Sequence, residues 1–131
     1  MKMVYESDTF KVLIYEDQKI LHHTVKKFMF GESFKENMMK AADSFEEYKC
    51  TKWLSDDSNS SALRQEDVEW AQATCEPRVM KAGWKHWALV MPTKVEGQMN
   101  MKRLVAHYEY LGLNVQVFDN PDLAKKWLEA Q

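Results

Sequence analysis

The chain has 131 residues, of which 45% are hydrophobic and 29% are charged, the composition of one globular domain. Its 18 Lys and Arg against 20 Asp and Glu give a formal net charge of −2, which argues against a nucleic-acid-binding protein with a strongly basic face. The chain also lacks a disulfide framework, zinc-ligand spacing, a membrane-length apolar run and a signal-peptide pattern, so we expect a cytoplasmic domain.

The N-terminal part of the chain has the pattern of β-strands. Side chains alternate with a period of two over residues 10–15, and β-type residues resume over 20–25 after the polar turn at 16–19. Residues 3–5 add a short strand before them. Because short connections join antiparallel strands, we predict an antiparallel meander.

An amphipathic helix is predicted next. Ser33 and Glu36 fit a capping box, which places the start of the helix at Ser33. The apolar stripe that begins at Phe34 recurs every three or four residues. A short strand over 51–54 follows and ends in the polar segment 55–61.

The second half of the chain alternates helices with strands. Pro77 stops a helix, and Asn120 followed by Pro121 is typical of the start of another. The helices cover 65–74, 99–111 and a short final segment that includes 123–128, and the strands cover 86–91 and 114–118. The order β-β-β-α-β-α-β-α-β-α predicts an α/β fold with a mixed β-sheet, in which the antiparallel meander is followed by parallel strands with right-handed crossovers.

This order of elements and several short segments resemble the STAS/SpoIIAA-like family, in the branch also described as STAS/SEC14-like. The matching segments are FKVLIYED at 10–17, ILH at 20–22, KWLSD at 52–56, EDVEW at 66–70, ALVMP at 88–92, FDN at 118–120 and AKKWL at 124–128. The resemblance implies one small domain over residues 1–131, without enzymatic activity, that regulates a partner or binds a ligand. The antagonist branch carries an Asp-Ser-Ser/Thr-Gly turn before a helix, whereas residues 57–62 of this chain contain no Gly.

The polar segment after the 51–54 strand is a candidate surface for a partner or ligand. Ligands commonly bind at the carboxyl ends of the strands in open α/β sheets. A phosphate group on one of the serines would also be stabilised by the N-terminus of the helix that follows. The same residue types also suit a solvated loop with Asx turns and helix caps. The candidates are Asp56, Asp57, Ser58, Ser60 and Ser61.

Aromatic residues and methionines are abundant enough to line an adaptable apolar pocket, although they more often form the core. Trp53, Trp84 and Trp87 are the candidates for lining such a pocket. Trp84 and Trp87 are three positions apart, so in one strand they would face opposite sides, and at most one would face the core.

Patterns for catalysis and metal binding are missing. His22 and His23 are neighbours on a predicted strand and point to opposite faces, so they cannot share a metal ion. A nucleophile elbow and a Gly-rich phosphate loop are both absent.

We therefore predict a non-enzymatic regulatory or protein-interaction module, without cofactor or metal, that presents residues 56–61 to a partner protein. The alternatives are a carrier for an apolar small molecule or lipid, and an uncharacterised enzyme. An exposed edge strand would also allow a homodimer.

Overall fold

The chain folds around a six-stranded mixed β-sheet, described by a computed structural model that covers all 131 residues. The strands are β1 (Lys2–Glu6), β2 (Phe10–Tyr15), β3 (Ile20–Val25), β4 (Lys52–Asp56), β5 (His86–Val90) and β6 (Asn114–Phe118). Their order in the sheet is their order in the chain. The first three strands pair antiparallel, and β3 to β6 pair parallel. This confirms the predicted α/β class, with a mixed sheet that begins as an antiparallel meander.

Five helices connect or follow the strands. They are α1 (Gly31–Glu47), α2 (Gln65–Thr74), α3 (Glu76–Lys81), α4 (Val95–Tyr110) and α5 (Pro121–Glu129). The sequence analysis missed α3, because Pro77 stops α2 but occupies the first turn of a new helix, where its missing N–H is not needed. None of the five helices has the length and apolar character needed to cross a membrane.

The predicted start of α1 is wrong, whereas that of α5 is confirmed. Helix α1 begins at Gly31, and its first turn is satisfied by another helix, since the Gly31 N–H donates to the Asp67 carboxylate of α2 at 3.1 Å. The predicted capping box at Ser33 therefore lies inside the helix. In α5, the Asn120 side chain accepts from the N–H groups of the two residues after Pro121, as an N-cap does.

The two faces of the sheet are covered unequally. Helices α1 to α4 pack on one face, over the larger hydrophobic cluster that includes Phe10, Phe45 and Leu89. Helix α5 alone covers the other face. The smaller cluster there contains Ile20, Leu54, Ala88, Val90, Ala124 and Leu128.

A buried amide ties α1 to the antiparallel strands. Asn37 is 1% exposed, and its side-chain oxygen accepts from the hydroxyls of Tyr5 and Ser7, each at 2.9 Å. Its NH₂ group donates to Thr9 Oγ1 at 2.8 Å. The amide therefore fixes the packing of the helix against the β1–β2 connection.

We expect Asn37→Ala to lower the free energy of unfolding by ~1–3 kcal/mol, because it leaves partly buried hydroxyls without their acceptor. Denaturant unfolding measures this loss. The neighbouring exposed Glu36 provides the control, since Glu36→Ala should change stability by less than ~0.5 kcal/mol. Equal losses in the two variants would contradict the assigned role of Asn37.

Candidate functional site

A cavity of about 110 Å³ lies between the sheet and the helices on its larger-core face. Strands β3, β4 and β5 contribute one wall, α1 to α4 contribute the others, and 15 of the 21 lining residues are hydrophobic. A single water needs roughly 10–15 Å³ of such space, so the cavity is large enough for a small organic molecule.

Alternation along β4 sets the chemistry of the sheet wall. Trp53, Ser55 and Asp57 are two residues apart and line the cavity, whereas Leu54 between them is buried on the α5 face. Parallel pairing adds the neighbouring strands, since His23 of β3 lies beside Ser55, and Trp87 of β5 lies beside Trp53. The cavity wall therefore combines indole rings with a few polar groups.

The three tryptophans that the sequence analysis singled out all line this cavity. The prediction that Trp84 and Trp87 face opposite sides is wrong, because Trp84 precedes β5 and strand alternation does not apply to it. The two rings meet edge to face at 5.9 Å between centroids, and Trp53 lies 5.9 Å from Trp84. Tyr108 of α4 completes the cluster, at 5.1 Å from Trp84 and 5.3 Å from Trp87.

Each indole N–H of this cluster is used within the protein. Trp53 donates to His23 Nδ1 at 2.9 Å, Trp87 to Ser55 Oγ at 2.8 Å, and Trp84 to the His86 carbonyl at 3.1 Å. The three tryptophans therefore offer the cavity carbon and π surface and no free donor.

A buried hydrogen-bonded chain fixes the tautomer of His23. Because the Trp53 indole can only donate, His23 Nδ1 is an acceptor and the imidazole proton lies on Nε2. That N–H donates to Asp57 Oδ1 at 2.8 Å. Both ring nitrogens are thus occupied, and the ring cannot accept a substrate proton unless this chain is broken.

The predicted partner surface divides into two sets of residues. Asp57 and Ser60 are buried at 6% and 4% exposure and line the cavity. Asp56 turns to the opposite side and accepts from the N–H and hydroxyl of Ser58, an Asx-type turn. Ser61 does not line the cavity, and its carbonyl accepts from the Ser60 hydroxyl at 3.0 Å.

The short connection between α2 and α3 adds Cys75 and Glu76 to the lining. Burial raises the pKa of the Cys75 thiol to about 11, so at neutral pH it is protonated and not a nucleophile. Glu76 Oε2 lies 3.0 Å from His107 Nε2. The pKa of the Tyr108 hydroxyl is raised, mainly by burial and also by the negative charge of Glu76.

No group of three or more His, Cys, Asp or Glu side chains lies close enough to hold a metal ion. The predicted divergence of His22 and His23 is confirmed. His23 lines the cavity, whereas His22 packs on the opposite face beside the Tyr15 hydroxyl at 3.3 Å.

Sequence reasoning missed His23, Ser55, Glu76 and Tyr108 as cavity residues. Side chains alternate along a strand, so continuing the strand predicted over 51–54 places Ser55 and Asp57 on the same side as Trp53, and that signal was present in the sequence. Placing His23 at the cavity requires the pairing register between β3 and β4. Placing Glu76 and Tyr108 there requires knowing how their helices pack on the sheet.

No protein-family model, curated protein or solved structure matches the chain.

Proposed function

We propose that this domain is a non-enzymatic binding module for a small, mainly apolar molecule, held in the cavity between the sheet and helices α1 to α4. The observation that carries the proposal is the cavity itself, which is lined mainly by apolar side chains and by a few buried polar groups. Sites for small molecules in proteins have this construction.

The state of the polar groups supports binding over catalysis. His23 has both ring nitrogens engaged, and Cys75 is a protonated thiol at neutral pH. The Ser60 hydroxyl donates to a backbone carbonyl. None of these groups is paired as an activated nucleophile with its base.

The orientation of the 56–61 segment supports a ligand over a protein partner. A protein can contact only groups at the surface, and Asp57 and Ser60 are buried against the cavity. Asn59 is exposed, whereas Asp56 and Ser58 bond each other. From the STAS/SEC14-like resemblance we therefore keep only the carrier alternative, in which the domain binds an apolar small molecule.

We expect the neutral probe 3,3-dimethylbutan-1-ol to bind saturably in the cavity. Ala71→Phe should lower the affinity for this probe at least ~10-fold, because Ala71 lines the cavity and the larger side chain would fill it. Titration calorimetry or tryptophan fluorescence measures the binding. Ala73→Phe is the matched control, since Ala73 lies two residues on in α2, is exposed and does not line the cavity.

A wild-type protein that does not bind, or an Ala71→Phe variant that binds as the wild type does, would contradict the proposal. Native mass spectrometry of protein from its own host adds a direct readout, since a mass lost on denaturation would be a bound small molecule. Binding of a partner protein that is abolished when Ser58, Ser60 and Ser61 are all changed to Ala would instead support the interaction module.

A further inference from the structure

The charged groups that line the cavity indicate which class of ligand it binds, provided that the proposed binding function holds. Two carboxyl groups, those of Asp57 and Glu76, line the cavity. No lysine or arginine does, and the single histidine, His23, is held as a neutral ring by the Trp53 indole. The polar part of the site is therefore acidic.

Asp57 is a buried carboxylate that has no counter-ion within the protein. Its side chain is 8% exposed, and its only side-chain partner is the His23 N–H, which reaches Oδ1. No cationic side chain pairs with it. A buried carboxylate without a counter-ion is costly, and a positively charged group in the cavity would offset that cost.

The aromatic cluster fits the same kind of ligand. Trp53, Trp84, Trp87 and Tyr108 line one cavity and contact one another. Aromatic faces attract organic cations through the ring quadrupole, tryptophan most strongly, and alkylated ammonium groups are bound by aromatic residues arranged around them. Such groups also present hydrocarbon to the apolar walls.

We propose that the cavity binds a small apolar organic cation, an amine or ammonium group carrying alkyl substituents, with Asp57 as the counter-ion and the aromatic cluster around the alkylated nitrogen. Fatty acids and other anions are disfavoured, since the lining offers them carboxylates and no basic partner.

Three probes that share one branched shape test this proposal: choline, the neutral 3,3-dimethylbutan-1-ol and the anion 3,3-dimethylbutanoate. We expect the wild-type protein to bind choline at least ~10-fold more tightly than the anion. Asp57→Asn keeps an oxygen acceptor for the His23 N–H and removes the charge. This substitution should lower the affinity for choline at least ~10-fold and change the affinity for the neutral alcohol less than ~3-fold.

Asp56→Asn is the matched control, because Asp56 is the adjacent carboxyl and does not line the cavity. It should leave all three affinities within ~2-fold of the wild type. If the alcohol binds but choline binds no better than the anion, or Asp57→Asn weakens choline and alcohol equally, the cation proposal is overturned and the binding function stands. If none of the three probes binds, both proposals fail together. The wild-type ranking needs no variant to fold.

Discussion

Leu128→Ala is expected to lower the free energy of unfolding by ~2–5 kcal/mol. Leu128 is fully buried in α5, and it packs in the smaller cluster with Leu54 and Val90 of the sheet. Because α5 is the only helix on this face, no neighbouring helix can move in to fill the space left by the missing methyl groups. The loss should therefore lie toward the upper part of this range.

Helix α5 offers its own control for that experiment. Leu123 lies in the same helix but is 52% exposed, so Leu123→Ala should change the free energy of unfolding by less than ~0.5 kcal/mol. Urea unfolding of both variants gives the comparison. A loss below ~1 kcal/mol for Leu128→Ala would show that α5 does not hold this face of the sheet.

Acidification from pH 7.5 to pH 4 should remove ~2–3 kcal/mol of stability through His22 alone. Burial is the main cause that lowers the pKa of His22 from 6.5 to about 4, and the nearby carboxyl group of Asp56 opposes this shift. The cause is visible in the packing, since His22 Nε2 is buried without a hydrogen-bond partner.

The direction follows from which state binds the proton. Below pH 6.5 His22 becomes protonated in the unfolded chain, whereas in the folded chain it stays neutral until the pH falls to about 4. The stability associated with neutral His22 is thus fully present above pH 6.5 and is lost as the pH falls through this window.

His22→Gln removes the titrating ring and tests this assignment. Denaturant unfolding at pH 7.5 and pH 4 should show a smaller acid-induced loss in the variant, by ~2–3 kcal/mol. Equal losses in wild type and variant would mean that other groups, and not His22, cause the acid sensitivity.

The fold was predictable to the level of its class because the strand patterns are local. Residues 10–15 and 20–25 carry the period and the short connection that define a meander, and both strands occur as predicted. The predictions fail where a residue distant in sequence determines the local structure. The start of α1 is set by Asp67 of α2, and no local signal at Ser33 reports that contact.

The candidate site was predictable only in parts. Abundant tryptophan suggested a pocket, and the polar end of β4 suggested a site at the carboxyl edge of the sheet. That Asp57 and the tryptophans share one cavity depends on the register of three parallel strands, which a single sequence does not encode visibly. No local pattern indicates that His23 lies at the cavity, because its two partners, Trp53 and Asp57, are 30 and 34 residues away in the chain.

The unequal covering of the sheet has a consequence for how the chain matures on the ribosome. Strand order equals chain order, so each strand can pair with its predecessor as it emerges, and its contacts are comparatively local. Helix α5 follows β6, however, and until it emerges nothing covers Ile20, Leu54, Ala88 and Val90. A nascent chain stalled after β6 would thus display a completed sheet with one bare hydrophobic face, the kind of surface that chaperones bind and that aggregates if left free.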